Sequence, residues 1–86
     1  TLGAELESLS KVERDKLRLQ SGVRVVRTTG RGALSQFEEG FIIISINRKP
    51  VSSPKEVAEI MENFRGRLVI EGIDTSGGRV TYQMYY

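Results

Sequence analysis

The chain of 86 residues contains no cysteine and no histidine. Without cysteine it can form neither a disulfide framework nor a cysteine metal site. Without histidine it lacks the proton-transferring residue of Ser-His-Asp and Cys-His catalysis and the commonest protein ligand for metals. We therefore expect no catalytic site, no metal site and no cofactor in this chain.

Clustered positive charge and long apolar runs are also scarce. The 13 basic and 11 acidic residues leave a net charge of only +2, and the basic residues are scattered along the sequence. Nucleic-acid-binding domains usually carry a clustered basic stripe, so no nucleic-acid partner is expected. The longest apolar run covers residues 41–44, which is far too short to cross a membrane, so membrane insertion is not expected either.

The remaining composition is that of an ordinary globular domain. Hydrophobic residues make up 38% of the chain and charged residues 28%, which is typical of folded soluble domains. A chain of this length has room for one small core, so residues 1–86 are predicted to form a single domain. The pattern of secondary structure begins at the first residues, and we expect the sequence to be a segment of a longer protein.

The first ten residues, TLGAELESLS, have apolar side chains at alternate positions, namely Leu2, Ala4 and Leu6. An alternation of period two predicts a β-strand with one buried face. Gly3 weakens this strand near its start, and a glycine there usually marks a close backbone approach or a turn.

Two short helical segments are predicted in the first half of the chain. Ser10 and Glu13 have the spacing of a capping box, so a helix should run from about Lys11 to Leu19 and end before Ser21-Gly22. Residues 33–37 are predicted to form one helical turn.

The strongest helix signal lies in the second half of the chain. Ser53 is a good N-cap, Pro54 suits the first helical position, and Glu56 has the spacing that completes a second capping box. The helix should continue to about Phe64 and stop at Gly66.

Runs rich in β-branched and aromatic residues predict the remaining strands. A tight turn is expected at Asn47-Arg48 and a hairpin loop at residues 74–78. Together with the helices, these strands predict an α+β, mainly β fold, a partly open barrel or sandwich of five to six strands capped by two helices. The predicted strands are residues 23–28, 41–46, 68–70 and 80–85.

One helix has a broader apolar surface than a minimal core contact needs. The residues at core spacing are Val57, Ile60, Met61 and Phe64, and a second row beside them is formed by Pro54, Ala58 and Met61. The second row could be more core, or it could form one wall of a groove. Helical periodicity favours the core, because apolar rows on helices are usually buried against a sheet.

A resemblance to a known family bears on these alternatives. Residues 40–51, GFIIISINRKPV, are followed by Ser52-Ser53 and a helix, and they resemble the pattern G-D-x-I-x-x-[IV]-N-G-x-x-[VI] of bacterial PDZ domains. The form found in the HtrA/Deg family of serine proteases is the most similar. Gly32-Ala33-Leu34 resembles the small-residue turn upstream in these domains, and the order of elements agrees over the whole chain. Two positions differ from the pattern, since Phe41 replaces Asp and Arg48 replaces Gly.

The resemblance implies a peptide-binding site at the first strand. Leu2-Gly3-Ala4 matches the loop whose backbone N–H groups hold the C-terminal carboxylate of a ligand in this family, and the missing Cβ of Gly3 would let the ligand approach this backbone closely. The ligand then adds as an antiparallel strand along residues 4–8, which include Glu5. Its last side chain would enter an apolar pocket formed by Ala4, Leu6 and Met61, with Ala58 and Pro54 further along the groove.

The resemblance also implies a biological context. We expect the peptide-binding PDZ module of an HtrA/Deg-like serine protease in the periplasm or cell envelope of a Gram-negative bacterium. Its partners would be protein C-termini, unfolded polypeptide segments and the other domains of the protease, and it would regulate protease activity and assembly. The two aromatic residues at the end of the sequence, Tyr85-Tyr86, resemble the end of the second of two PDZ domains. The alternatives are a PDZ domain of another envelope protein, such as a site-2-type protease or a secretion component, and an assembly domain whose groove is closed.

Overall fold

A computed structural model describes residues 3–32, 34–64 and 66–85 of the chain. Within these ranges the backbone forms six β-strands and two α-helices. The expected α+β, mainly β fold with two helices is confirmed. In chain order the elements are β1 (Ala4–Ser8), α1 (Lys11–Leu17), β2 (Val23–Thr28), β3 (Ile42–Ile46), β4 (Lys49–Pro50), α2 (Pro54–Asn63), β5 (Arg67–Ile73) and β6 (Arg79–Tyr85).

The strands form one open antiparallel sheet in the order β1-β2-β3-β5-β6, and the short strand β4 pairs with β3. The apolar strand β3 lies at the centre, as expected for a run that is buried on both faces. Ile43 and Ile46 are fully buried and Ile42 nearly so. The two outer strands of this order, β1 and β6, each pair with one neighbour among the described residues.

The core lies between one face of the sheet, α2 and the segment that precedes β3. Phe37 of that segment stacks on Phe41 with a centroid distance of 4.6 Å, and Tyr82 of β6 meets Phe37 edge-on at 5.1 Å. The core residues with at most 4% of their surface exposed are Val23, Val25, Leu34, Phe37, Phe41, Ile43, Ile46, Val51, Val57, Met61, Leu68 and Ile70.

Helix α2 begins at the predicted residue, and its first turn is held by the predicted side chains. The Oγ of Ser53 accepts a hydrogen bond from the backbone N–H of Glu56 at 3.2 Å. The carboxylate of Glu56 accepts from the backbone N–H of Ser52 at 2.8 Å, one residue before the capping-box donor that the sequence predicted. The helix ends at Asn63, because Phe64 is already extended with φ of −120°.

Helix α1 begins with the predicted capping box between Ser10 and Glu13. It ends at Leu17, two residues earlier than predicted, because Arg18 adopts a left-handed conformation with φ of 58°. In that conformation the N–H of Arg18 bonds back to the last turn of the helix, which closes it. No residue of α1 is buried.

Two features of the sheet differ from the sequence-based expectation. Strand β5 runs on to Ile73, past Glu71 and Gly72, which are poor strand formers by propensity. The ladder with β6 covers all seven residues of both strands and overrides that local preference. The short strand β4 was not predicted, and it follows directly from the turn at Asn47-Arg48, whose φ angles are +50° and +67°.

Candidate functional site

Strand β1 has one free edge among the described residues, because it pairs with β2 alone. The carbonyl of Gly3, just before the strand, accepts from the N–H of Thr29 at 2.9 Å. In an antiparallel strand the backbone groups of successive residues point to opposite sides. Odd-numbered residues of β1 are therefore bonded to β2, and the N–H and C=O groups of Ala4, Leu6 and Ser8 point to the free edge.

The side chains of β1 divide between two faces of the sheet. Ala4 and Leu6 are half-buried and pack against the core. Glu5 and Glu7 point to the opposite face and are exposed. The period-two pattern of the sequence thus correctly identified the buried face of the first strand. A strand added to the free edge would place alternate side chains over Ala4 and Leu6, and the others beside the two carboxylates.

Helix α2 lies against β1. Its half-buried residues lie on two different sides of the helix. Ile60 and Phe64 line a cavity of about 510 Å³ that is also bordered by Ile46 of β3 and the turn after it. Helical spacing of 100° per residue puts Pro54 and Ala58 on the other side of the helix, next to β1. The two residues are half-buried, so they can form one wall of a groove whose other wall is the edge of β1.

Met61 lies deeper than the rest of its row. It is fully buried, as is Val57, and both belong to the core cluster. The structure therefore gives Met61 the core position that helical periodicity favoured. A ligand side chain entering between β1 and α2 would first meet the half-buried Leu6 and Ala58. The assignment of Met61 to the floor of the pocket stays a prediction.

The backbone that comes close to Gly3 belongs to the chain itself. Gly3 is buried with φ of +82°, and a Cβ built on it would lie 1.7 Å from the carbonyl oxygen of Arg31 and 2.9 Å from the Cα of Gly32. The sequence resemblance assigned the close approach at Gly3 to a bound ligand; the structure shows one within the chain, to the loop at residues 31–32, and the ligand contact stays a prediction. The sequence marks Gly30-Arg31-Gly32 as a break after β2, but it does not identify this loop as the neighbour of Gly3. Leu2, which the resemblance placed beside Gly3 in the carboxylate loop, lies outside the described residues.

Arg24 of β2 joins the exposed face of β1 to α1. Its guanidinium donates to Glu7 at 3.2 Å and also to Glu13. The hydrogen bond from Arg24 lowers the pKa of Glu13 below its ordinary value, and the same bond raises the pKa of Arg24. Arg27 lies 3.9 Å from Glu5, where both side chains are largely exposed. The acidic face of β1 is thus partly neutralised by β2.

Neither a metal-binding cluster nor a membrane-spanning helix is found in the part of the chain that the structure describes. No three residues among His, Cys, Asp and Glu come together in a way that could hold a metal ion. Neither helix has the length and apolar character that a membrane span needs.

Comparisons with known proteins add one finding. No protein-family model matches the sequence, and no curated protein matches it. Among solved structures, the crystal structure of the HtrA3 PDZ domain bound to a phage-derived ligand, FGRWV, superposes with a TM-score of 0.76. The match covers 99% of this chain and 82% of that chain, at 16% sequence identity. The chain therefore has a PDZ-like fold, which confirms the fold that the sequence resemblance implied.

Proposed function

We propose that this domain binds the C-termini or extended segments of other proteins by adding them as a strand to the free edge of β1. The observation that carries the proposal is the position of that edge. The edge belongs to the strand that lies against α2, and the half-buried side chains Ala4, Leu6 and Ala58 would line the space between the two elements. In strand addition the backbone contributes affinity, and pockets for alternate side chains contribute specificity.

The carboxylate end of the ligand would lie at Gly3. The positive φ of Gly3 turns its backbone at the start of the strand, and successive N–H groups in such a turn form an anion-binding concavity. The close packing of Gly3 against the backbone of Arg31 fixes the position of this turn. An apolar last residue would then face Ala4 and Leu6, which are the apolar side chains of β1.

The proposed context is a larger protein. We place the domain as the second PDZ module of an HtrA/Deg-like serine protease of the bacterial periplasm or cell envelope, where it recruits substrate and regulates activity and assembly. The sequence resemblance over residues 40–53 supports this placement, and so does the fold shared with the HtrA3 PDZ domain, whose structure contains a bound peptide. In this proposal the domain itself does no proteolysis, and the catalytic residues belong to another part of the protease.

The test is a titration of the isolated domain with peptides that end in Val, Leu or Phe. We expect a dissociation constant of roughly micromolar order, about −8 kcal/mol, with spectral changes along β1 and on the Ala58 side of α2. Amidation of the peptide C-terminus removes the anion. Since hydrogen bonds to charged groups contribute about 1.5–3 kcal/mol, affinity should fall by roughly 10- to 100-fold.

Two results would contradict the proposal. Equal binding of the free-acid and amidated peptides would remove Gly3 and its neighbours from carboxylate binding. Because Leu2 precedes Gly3 in the proposed loop, that comparison is repeated on a chain extended at its N-terminus. Spectral changes confined to the cavity beside Ile60 and Phe64 would move the site to the other side of α2.

A second candidate is an assembly domain with a closed groove. The full burial of Met61 favours it, because this residue of the second row of α2 is enclosed in the core. The same titration separates the two candidates, since an assembly domain would show no saturable change with any of the free-acid peptides.

A further inference from the structure

The second outer strand of the sheet, β6, also has a free edge. It pairs with β5 alone among the described residues, through seven consecutive residue pairs. The ladder between β1 and β2 and the ladder between β3 and β5 contain register shifts, whereas the ladder between β5 and β6 has none. The free edge of β6 is therefore long and regular, and it lies at the opposite end of the sheet from β1.

The direction of the backbone groups on β6 follows from two contacts. The N–H of Asp74 donates to the carbonyl of Gly78 at 2.9 Å, so these two residues form a hydrogen-bonded pair. Hydrogen-bonded and non-hydrogen-bonded pairs then alternate along the ladder between β5 and β6. Val69 uses its N–H and C=O to bond with Asn47, both at 2.8 Å, so its β6 partner Gln83 does not bond to it. The outward-pointing backbone groups of β6 are those of Arg79, Thr81, Gln83 and Tyr85.

The edge lacks the devices by which natural sheets prevent pairing between edges. These devices are charged residues, proline, bulges and very short strands. Six of the seven residues of the strand, 80–85 (VTYQMY), contain no charge and no proline, and the one charged residue, Arg79, stands at its start. Tyr85 is 83% exposed and Tyr82 is 40% exposed. Strand β1, by contrast, carries Glu5 and Glu7 along its exposed face.

We propose that β6 pairs in antiparallel fashion with β6 of a second copy of this chain, around a two-fold axis at Gln83. In this register Gln83 lies opposite Gln83 of the second copy, and Thr81 lies opposite Tyr85 of the second copy. All outward backbone groups from residue 81 to 85 then find partners on the other strand. The absence of charge makes the segment complementary to itself, because no like charges oppose one another.

The side chains favour this register over one with the two-fold axis at Thr81. A two-fold axis at Thr81 would leave Tyr85 beyond the paired region and as exposed as before. The axis at Gln83 covers Tyr85 with Thr81 of the second copy, which is an aromatic and β-branched pair of the kind that stabilises sheets. On the other face, Tyr82 lies opposite Met84 of the second copy. Tyr82 already rests on Phe37 and Phe41, with centroid distances of 5.1 and 5.7 Å, so its ring is held in place for this contact.

The pairing leaves the proposed peptide groove free. Since β1 and β6 are at opposite ends of the sheet, the two β1 edges of a dimer lie at the far ends of one continuous sheet. Dimerisation and peptide binding are therefore independent, and either can fail without the other.

Disulfide trapping tests the register, because the natural chain has no cysteine. In the Gln83→Cys variant the two introduced residues would be about 5.5 Å apart at their Cα atoms, which is within the range of a disulfide. In the matched Thr81→Cys variant they would be four residues apart along the strands, roughly 13 Å, which is too far. Mild oxidation should therefore convert most of the first variant to a covalent dimer and leave the second as monomer.

Sedimentation equilibrium of the natural chain and two lysine variants tests the association itself. Gln83→Lys places two lysines opposite each other and should weaken dimerisation several-fold, more at low salt than at high salt. Thr81→Lys faces Tyr85 of the second copy and creates no such pair, so its effect should be smaller. A natural chain that stays monomeric at about 1 mM would overturn the proposal, as would equal cross-linking of the two cysteine variants or a dimer that Gln83→Lys leaves unchanged.

Discussion

Gly3 lies against the carbonyl group of Arg31 so closely that a Cβ on Gly3 would come within 1.7 Å of its oxygen. The first residues of β1 are therefore seated on the loop before the core segment, and no side chain can replace the hydrogen of Gly3 without moving one of the two backbones. The turn that would receive a ligand carboxylate depends on this contact for its position.

The Gly3→Ala substitution should consequently be more harmful than its backbone angle alone implies. Gly30 has the same φ of +82°, and a Cβ placed on it would have no atom within 4 Å, so Gly30→Ala is the matched control. The left-handed conformation costs about 1–2 kcal/mol for alanine at either position. Crowding should add roughly 1–3 kcal/mol at Gly3 only. Urea unfolding measures the stability of both variants. Equal losses of unfolding free energy would show that the loop at Arg31 moves aside at little energetic cost.

The N-cap of α2 gives a second prediction. Ser53→Ala removes the acceptor for the N–H of Glu56 and should lower the free energy of unfolding by about 1 kcal/mol. Ser52→Ala is the control, because Ser52 contributes its backbone N–H to Glu56 and keeps it in the variant. An unchanged denaturation midpoint for Ser53→Ala would mean that the cap does not hold the helix.

Acid stability should depend on Glu13. Arg24 lowers the pKa of this carboxyl in the folded state below its ordinary value of 4.5. The resulting stabilisation is complete above the unfolded-state pKa and is lost as the pH falls through the folded-state value. Glu13→Gln should flatten the dependence of stability on pH in that acid range. Asp15→Asn is the control, because it removes a negative charge from the same helix. The stability of this variant should depend more steeply on pH than that of Glu13→Gln. The measurement is thermal unfolding between pH 7 and pH 3.

The groove can be tested from the helix side with two arginine variants. Ala58→Arg places a long side chain in the space beside β1, so peptide affinity should fall by about tenfold or more, equivalent to 1.4 kcal/mol. Glu59→Arg places the same side chain at the cavity on the other side of α2 and should leave the peptide affinity within about twofold. Both positions tolerate arginine in a helix, so the fold should be retained. Equal effects would indicate a site that is not between β1 and α2.

Local signals in the sequence predicted most of the fold. The serines at positions 10 and 53 start the two helices as expected, and β2 and β6 lie within one residue of their predicted bounds. Such signals work because caps and β-branched runs act through neighbours in the chain. The early end of α1 was missed, because the left-handed conformation of Arg18 has no signature in its residue type.

Contacts between distant segments explain the remaining differences. The neighbour of Gly3 is a carbonyl 28 positions away, at Arg31. Neither segment carries a sequence signal that predicts contact with the other. Met61 and Ala58 share a row on the helical wheel, yet Met61 is fully buried and Ala58 is half-buried. A helical wheel gives the direction of a side chain but not the depth at which the sheet meets it. The sequence could therefore predict the direction of these two side chains, but not the depth at which each is buried.

The segment that carries α1 has a consequence for engineering. None of the residues of α1 is buried, and the N–H of Leu9 meets the carbonyl of Gly22 at 3.4 Å, so the two ends of the segment are already joined. The entropy of closing a loop grows only slowly with its length, and exposed loops with fixed ends are the places where proteins accept foreign insertions. A reporter peptide or a small folded domain grafted in place of residues 11–20 should leave the pairing of β1 with β2 intact, at the loss of the contact between Glu13 and Arg24.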